Sequence, residues 1–364
     1  MKEFLKLMKS FVINTSMVIA SLMLSLILIE IYLHYFPFPR DTKKPEICTS
    51  VDPINLARYK YSIANYSYPA NINLPICGEE FFITNKSDED GYLGASVAKN
   101  KHSVLVFGDS FAFGFGVNKE DSFASLIGAY NAGLWGNTFA NHAQVLNKLL
   151  KNGRTYEMAV WVIYPPHLIT ASLGSWNSRT QIKKEEHPLF FKIIEQYNNT
   201  ALSKALLAGL GIGVNAIDYY TREWSLYEKN DRYLDSGYVV FDAAARQINH
   251  LALTHHIKII PLIMPSKRQL ALKSDGMRPP FIPSWHKLDA DLPTEKILKI
   301  LQANGFSIED SVVLIDEILT GSNHVDNWGK LYFLNDAHLN QIGNVYVAKV
   351  LCSKDNLKNN LNCS

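Results

Sequence analysis

The sequence contains few cysteines, little net charge and no run of basic residues. It has 36 lysines and arginines against 34 aspartates and glutamates, a formal net charge of +2. Without a basic run interleaved with aromatic residues, nucleic acid is not an expected partner. The four cysteines have no C-x-x-C spacing, and no other metal or cofactor motif is present, so we expect neither group. Apolar residues make up 47% of the chain, which is enough for a large core.

The cysteines form two local pairs, Cys48 with Cys77 and Cys352 with Cys363. An even number of cysteines in flanking loops suits disulfides made in an oxidising compartment. Three connectivities are open to four cysteines, and pairing within each local pair is the simplest. Four free thiols are the alternative interpretation.

The N-terminal segment contains a long uncharged run, residues 10–29. At about 1.5 Å per residue, a helix of this length spans about 30 Å, the thickness of a hydrocarbon core. The run ends without a small-residue cleavage site, which favours an uncleaved anchor over a signal peptide. Together with the cysteines, this predicts a single-pass protein of the inner membrane whose body lies in the periplasm. The tip and anchor would occupy residues 1–38.

From residue 103 onward, apolar strands alternate with helices. This alternation predicts an α/β fold, with a parallel sheet of about five strands between two helical layers. The main domain is predicted over residues 101–364 with an insertion at about 168–235, and residues 39–100 are predicted to be an irregular extension. The predicted strands cover residues 103–107, a short segment leading into Asn131, 158–163, 257–264 and 312–315. The predicted helices start near Ser122 and cover residues 141–151, 241–254 and 341–352.

The stretch SVLVFGDSFAFGFG, residues 103–116, puts a serine at the end of the first strand. Gly108 and Asp109 end that strand, and Ser110 follows where the chain turns into a helix. Open α/β sheets bind ligands at this edge, and helix N–H groups there would stabilise an anionic intermediate. Ser110 is therefore the candidate nucleophile. The alternative is that Ser110 only caps the helix.

The residues Asp336, Ala337 and His338 can supply the partners of a serine nucleophile. A hydroxyl attacks poorly unless a base takes its proton, and histidine is the usual base. An acid must hold the imidazole in the correct tautomer. Positions i and i+2 of an extended segment point the same way, so the Asp336 carboxylate could reach the imidazole of His338.

These motifs resemble those of the SGNH (GDSL-type) hydrolases. Residues 108–110 (GDS) resemble the first block of that family, and residues 131–136 (NAGLWG) resemble the second. Residues 336–338 resemble the last block, in the D-x-H spacing of polysaccharide O-acetyltransferases related to the alginate enzymes. Many other members use D-x-x-H, which would put the acid at Asn335, and an asparagine cannot be that acid. The resemblance covers about residues 100–352.

The resemblance implies an oxyanion hole made by the N–H groups of Ser110 and Gly136. The family usually adds an asparagine side chain after the third strand, but Pro166 stands there and has no donor. Losing one such donor typically costs about 2.7–4 kcal/mol of transition-state stabilisation. The candidate replacements are His167, Asn137 and Asn141.

Candidate substrate contacts surround these blocks. Trp135 and Trp176 could stack on a sugar ring, although a buried tryptophan is the commoner arrangement. Lys267 lies in a P-S-K stretch that resembles a P-x-K stretch of the acetyltransferase-like branch. Asn137 and His167 are the remaining candidates for contact with substrate.

The sequence therefore predicts a membrane-anchored serine esterase or O-acyl(acetyl)transferase. The expected substrate is a cell-envelope or exported polysaccharide, and glycan-synthesis proteins are the expected partners. The missing asparagine motivates one alternative, a non-catalytic polysaccharide-binding or assembly subunit on a degenerate scaffold. The anchor equally suits a second alternative, a lipid esterase that works at the membrane surface.

Overall fold

The computed structural model describes Ser21, Ser25 and residues 64–78, 80–94, 104–171, 223–229, 234–277, 287–321, 324–358 and 361. The chain divides into two compact units, residues 1–42 with 178–222, and residues 43–177 with 223–364. Apart from Ser21 and Ser25, every described residue belongs to the second unit, which therefore contains all of the features that follow.

Several sequence predictions concern residues that the structure does not describe. The predicted anchor, residues 10–29, is outside the described residues except for Ser21 and Ser25, which are helical. Within the described part of the chain, no helix has the length and apolar character needed to cross a membrane. Trp176 and most of the predicted insertion also lie outside the described residues.

The described residues contain a two-stranded sheet and a five-stranded sheet. In the five-stranded sheet the order is β4-β3-β5-β6-β7, and every neighbouring pair is parallel. This order reverses direction between β3 and β5, and doubly wound sheets bind their ligands at the carboxyl ends of the strands at such a point. The strands are β1 (Asn73–Cys77), β2 (Phe82–Lys86), β3 (Val104–Gly108), β4 (Tyr130–Gly133), β5 (Met158–Ile163), β6 (Lys258–Ile263) and β7 (Val312–Val313).

Helices connect the strands of the larger sheet. They are α1 (Ser110–Phe113), α2 (Phe123–Leu126), α3 (Phe139–Lys151), α4 (Asp235–His255), α5 (Lys267–Asp275), α6 (Leu292–Ala303), α7 (Leu314–Leu319), α8 (Gln341–Ser353) and α9 (Asp355–Lys358). Short 3-10 helices cover Lys119–Asp121, Trp224–Tyr227 and Trp328–Leu331. Residues 167–171 are also helical.

Strand β5 shows how the apolar sequence is buried on both faces of the sheet. All six of its residues, MAVWVI, are buried. On one face Trp161 stacks on Phe241 of α4, with ring centroids 5.5 Å apart. On the other face Val160 and Val162 belong to a core cluster that includes residues of α2 and α8. Helices therefore cover both faces, which is why the strands are continuous apolar runs rather than alternating ones.

Two predictions of secondary structure were wrong in detail. The strand predicted over residues 312–315 is only two residues long, because α7 begins at Leu314. Asp316 and Glu317 lie in the first turn of α7, where carboxylates stabilise the helix N-terminus. The extension predicted to be irregular contains the antiparallel pair β1 and β2, in which Asn73 is opposite Lys86 and Cys77 is opposite Phe82.

Candidate active site

The turn after β3 positions Ser110 at the carboxyl edge of the sheet. Gly108 ends the strand with a φ of 147°, and a Cβ there would lie 2.8 Å from the carbonyl oxygen of Val162, so only glycine fits. Asp109 then caps α1, its Oδ1 accepting from the backbone N–H of Phe111 at 2.8 Å. Ser110 is the first residue of α1 and is 6% exposed.

Three distant side chains meet in a row at this edge. The Nε2 atom of His338 lies 2.7 Å from the hydroxyl oxygen of Ser110. The Nδ1 atom of His338 lies 2.5 Å from Oδ1 of Asp336, which also accepts from the backbone N–H of His338 at 2.8 Å. The i, i+2 spacing therefore brings carboxylate and imidazole together, as the sequence predicted. A carboxylate on Nδ1 leaves Nε2 free to accept the proton of the serine hydroxyl.

The Asp336 carboxyl is held in its charged form. Burial alone would raise its pKa, but the hydrogen bonds from His338 and the nearby positive charge of Lys267 hold the pKa below its usual value. An ionised carboxylate is the form that orients a neutral imidazole and stabilises the imidazolium formed during catalysis.

Aromatic rings enclose His338 and connect it to Trp135. The ring centroids of Phe111 and Phe115 lie 5.0 Å and 4.6 Å from that of His338. Trp135 is half-buried and stacks on Phe115 with a centroid separation of 5.2 Å. A single aromatic ring therefore separates the predicted sugar platform from the imidazole of His338.

Gly136 follows β4, the strand that pairs with β3 on the side away from β5. The end of β4 is held to the nucleophile turn, because the N–H of Leu134 donates to the carbonyl of Gly108 at 3.2 Å. Gly136 has a φ of 75°, a conformation that favours glycine. Within the described residues, no hydrogen bond uses the N–H groups of Ser110 or Gly136. Both remain available to an oxyanion.

A second histidine lies beside the nucleophile turn. Nδ1 of His167 is 3.2 Å from Oδ2 of Asp109, and the Asp109 side chain is fully buried. Burial lowers the pKa of His167, although the charge of Asp109 acts in the opposite direction, and burial raises the pKa of Asp109. Each group is therefore shifted toward its neutral form. His167 directly follows Pro166, where the family would carry its asparagine.

The other two candidates for the missing donor follow β4 along the chain, Asn137 in the connecting segment and Asn141 in α3. Asn137 is buried, and its amide nitrogen has no hydrogen-bond partner among the residues that the structure describes. Asn141 is half-buried on α3.

Lys267, a predicted substrate contact, binds the backbone of the loop that carries Asp336. Its ammonium group donates to the carbonyl oxygens of Phe333 at 2.9 Å, Leu334 at 2.8 Å and Asp336 at 3.3 Å. These three contacts engage the three donors of the ammonium group. Sequence reasoning missed this role because backbone carbonyls have no sequence signature.

Glu80 was also missed by the sequence reasoning. Its two carboxylate oxygens accept from the backbone N–H groups of Leu334 and Asn335, at 2.8 Å and 2.6 Å. No local pattern around Glu80 indicates a partner more than 250 positions away along the chain.

The described residues also bear on metals and on the cysteines. Among them, no group of three histidine, cysteine, aspartate or glutamate side chains is arranged to hold a metal ion. Cys77 and Cys352 are both in disulfide bonds, while their predicted partners, Cys48 and Cys363, are outside the described residues.

The predicted resemblance to the SGNH hydrolases depends on three short segments, residues 108–110, 131–136 and 336–338. They carry Ser110, Gly136, Asp336 and His338, which the fold brings to one edge of the sheet. No protein-family model and no curated protein matches this chain.

Proposed function

We propose that this chain is a serine-dependent acyl-ester enzyme with a three-layer, SGNH-hydrolase-like fold. The observation that carries the proposal is the continuous hydrogen-bonded row from Ser110 through His338 to Asp336, with heavy-atom distances of 2.7 and 2.5 Å. The 2.7 Å separation of Ser110 and His338 lies within the range that general-base catalysis requires between a nucleophile and its base.

In the first step, the hydroxyl oxygen of Ser110 attacks the acyl carbonyl of an ester. Nε2 of His338 takes the hydroxyl proton, and the Asp336 carboxylate stabilises the resulting imidazolium through Nδ1. The N–H groups of Ser110 and Gly136 donate to the oxyanion of the tetrahedral intermediate. The imidazolium then returns its proton to the leaving alcohol, and the acyl group remains on Ser110.

In the second step, His338 activates the acceptor that removes the acyl group. Water as acceptor gives an esterase, and a sugar hydroxyl gives an O-acyltransferase. Both reactions use the same triad and the same oxyanion hole, so the acceptor alone decides between them.

The proposed substrate is an acylated polysaccharide of the cell envelope or one that is exported. Trp135 supports this choice, because its half-buried ring lies one aromatic ring away from His338 and could stack on a sugar. The disulfide-bonded Cys77 and Cys352 suit an oxidising compartment such as the periplasm. An N-terminal anchor in the inner membrane would hold the catalytic domain there, beside glycan-synthesis proteins.

The second candidate function is a non-catalytic polysaccharide-binding subunit, favoured by Pro166 in place of the expected asparagine. Loss of catalysis removes selection for a precise triad geometry. The hydrogen-bonded row at Ser110 therefore favours the enzyme.

The first test uses the full-length chain in detergent with a fluorophosphonate probe and a small aryl acetate. The unaltered protein should form a covalent adduct and release the phenol, whereas Ser110→Ala should do neither. His338→Ala should slow both by several orders of magnitude, and the double variant should lose little more, because the two residues act as a unit. Ser311→Ala, at a half-buried serine, and His250→Ala, at an exposed histidine, are the matched controls.

Three outcomes separate the candidate functions. Absence of adduct and of hydrolysis in the unaltered protein would support the binding subunit. Faster loss of the acyl group on addition of an oligosaccharide would support transfer over hydrolysis. A strong preference for long acyl chains would support the lipid esterase.

A further inference from the structure

The loop that carries Asp336 has little packing of its own. It lies between Tyr332 and Leu339, which form an isolated antiparallel bridge. Leu334 is 81% exposed, and residues 335 and 337 are exposed as well. A short exposed loop with few buried contacts opens easily, so something else must hold it in the geometry that the triad requires.

Glu80 binds the first half of this loop from outside the main sheet. It lies in the turn between β1 and β2, and each of its carboxylate oxygens accepts a different backbone N–H, at 2.8 Å from Leu334 and at 2.6 Å from Asn335. Hydrogen bonds to an ionised acceptor are roughly twice as strong as neutral ones. Two of them on consecutive residues restrict both the position and the orientation of the backbone.

Lys267 binds the same loop as a hydrogen-bond donor, through backbone carbonyl oxygens. Its ammonium group contacts the carbonyls of Phe333, Leu334 and Asp336 at 2.9, 2.8 and 3.3 Å. Lys267 is itself well anchored, because it begins α5 directly after Ser266, which caps that helix at the N–H of Gln269.

Aromatic packing joins the same two regions. Phe81, next to Glu80, packs on Phe333 with ring centroids 4.7 Å apart and on Phe115 with centroids 5.4 Å apart. Phe115 in turn contacts His338 at 4.6 Å. The turn between β1 and β2 therefore reaches the triad loop through both hydrogen bonds and ring contacts.

We propose that Glu80 and Lys267 are positioning residues that together hold residues 333–338 so that Asp336 and His338 stay aligned with Ser110. This inference rests on the proposed function and extends it, because it makes the β1–β2 extension a working part of the active site. Glu80 accepts hydrogen bonds from N–H groups of the loop, whereas Lys267 donates to its carbonyl oxygens, so neither residue can replace the other. A displacement of about 1 Å in such a site can lower the rate by about 100-fold.

The test measures ester hydrolysis and backbone hydrogen exchange in Glu80→Gln, Lys267→Met and the double variant of the full-length chain. Each single variant should lower kcat by about 10- to 100-fold with little change in KM, because substrate contacts are untouched. The double variant should lose less than the product of the two single losses, because both residues act on one loop. The amides of Leu334 and Asn335 should exchange faster in Glu80→Gln.

Glu120→Gln and Lys349→Met are the matched controls, since both change exposed side chains of the same types. Thermal unfolding of every variant separates loss of alignment from loss of folding. Glutamine has nearly the same shape as glutamate, so Glu80→Gln should fold and can test the proposal even if Lys267→Met does not fold. Backbone hydrogen exchange is also measured with the Ser110→Ala substitution added to each variant, so that the exchange result is independent of catalytic turnover.

Two results would overturn the proposal. One is unchanged kcat together with unchanged amide exchange at residues 334 and 335. The other is a rise in KM at constant kcat, which would make these side chains substrate contacts. If the unaltered protein shows no activity at all, the proposed function fails, and the exchange measurements alone then decide whether Glu80 and Lys267 hold the loop.

Discussion

A single carboxylate oxygen of Asp336 determines both the tautomer and the position of His338. Oδ1 accepts from the ring Nδ1 at 2.5 Å and from the backbone N–H at 2.8 Å. The first contact leaves Nε2 as the acceptor that faces Ser110, and the second ties the carboxylate to the residue that it orients. Replacing that oxygen with an amide nitrogen would disturb both contacts.

We therefore expect Asp336→Asn to lower kcat by about 10⁴-fold, because an amide can stabilise the wrong tautomer of the imidazole. Steady-state hydrolysis of an aryl acetate measures the loss. Asn335→Ala is the contrasting variant, since it keeps the N–H that Glu80 binds, and it should lose far less. A greater loss in Asn335→Ala than in Asp336→Asn would mean that the triad uses the other spacing.

Residues of the triad could be predicted from sequence, whereas the residues that hold them could not. Ser110, Asp336 and His338 belong to short patterns with a chemical meaning, and the i, i+2 geometry links the last two. Glu80 and Lys267 bind backbone groups, which every residue possesses, so no pattern in the sequence indicates them. The sequence singled out Lys267 as a substrate contact, but it did not indicate the three backbone carbonyls that its ammonium group binds.

Among the elements, the segment after β4 carries Gly136, the proposed second donor to the oxyanion. Its start is held to Gly108 by the N–H of Leu134, and it turns at Gly136 with a φ of 75°. An alanine in this left-handed conformation is strained by about 1–3 kcal/mol. Relief of that strain would rotate the peptide N–H that we propose donates to the oxyanion.

Gly136→Ala should therefore lower stability by about 1–3 kcal/mol and lower kcat by up to about 100-fold. Urea unfolding and ester hydrolysis measure the two effects. Gly153→Ala is a matched control, since Gly153 also has a positive φ, 79°, and no atom within 4 Å of an added Cβ. It should lose stability and keep its rate. An unchanged kcat in Gly136→Ala would show that its N–H does not contact the oxyanion.

The sequence predicted the bounds of strands that are buried on both faces, but it did not predict the bounds of strands at the edge of the sheet or outside it. Strand β5 forms at the predicted residues because its six apolar side chains are covered by helices on both faces. At the edge of the sheet, β7 pairs with β6 alone among the described strands. It is two residues long, and α7 begins directly after it. Buried residues alternate along β1, but the one buried residue of β2 is the polar Asn85, so the sequence carried a weak signal for the hairpin.

At the scale of the whole molecule, one buried imidazole links folding to pH. His142 on α3 is fully buried, and its Nδ1 accepts from the indole N–H of Trp161 at 2.9 Å. Nε2 has no hydrogen-bond partner in the described part of the chain. Burial lowers the pKa of His142 to about 3 from an ordinary value of 6.5. The folded protein therefore excludes a proton that the unfolded chain accepts.

Because the unfolded chain binds this proton more readily than the folded protein does, lowering the pH destabilises the folded state. Above about pH 6.5 neither state protonates His142, and its contribution is complete. As the pH falls toward 3, the unfolded chain gains a proton first, and stability falls by up to about 1.4 kcal/mol per pH unit. We expect His142→Asn, which keeps an acceptor for Trp161, to have a shallower loss of stability between pH 7 and pH 5. Urea midpoints measure it, His250→Asn is the exposed control, and equal slopes would contradict the prediction.

The sequence by itself determined the parallel α/β sheet and the turn at Ser110, and it singled out three side chains that the fold joins by hydrogen bonds, because apolar periodicity and short chemical motifs are local properties of the chain. Only the tertiary structure decided how the triad loop is held, what Lys267 does and which histidine lies beside Asp109. Those contacts join backbone and side-chain groups that are far apart along the chain, and the free energy that brings them together comes from burying the whole core rather than from any local pattern.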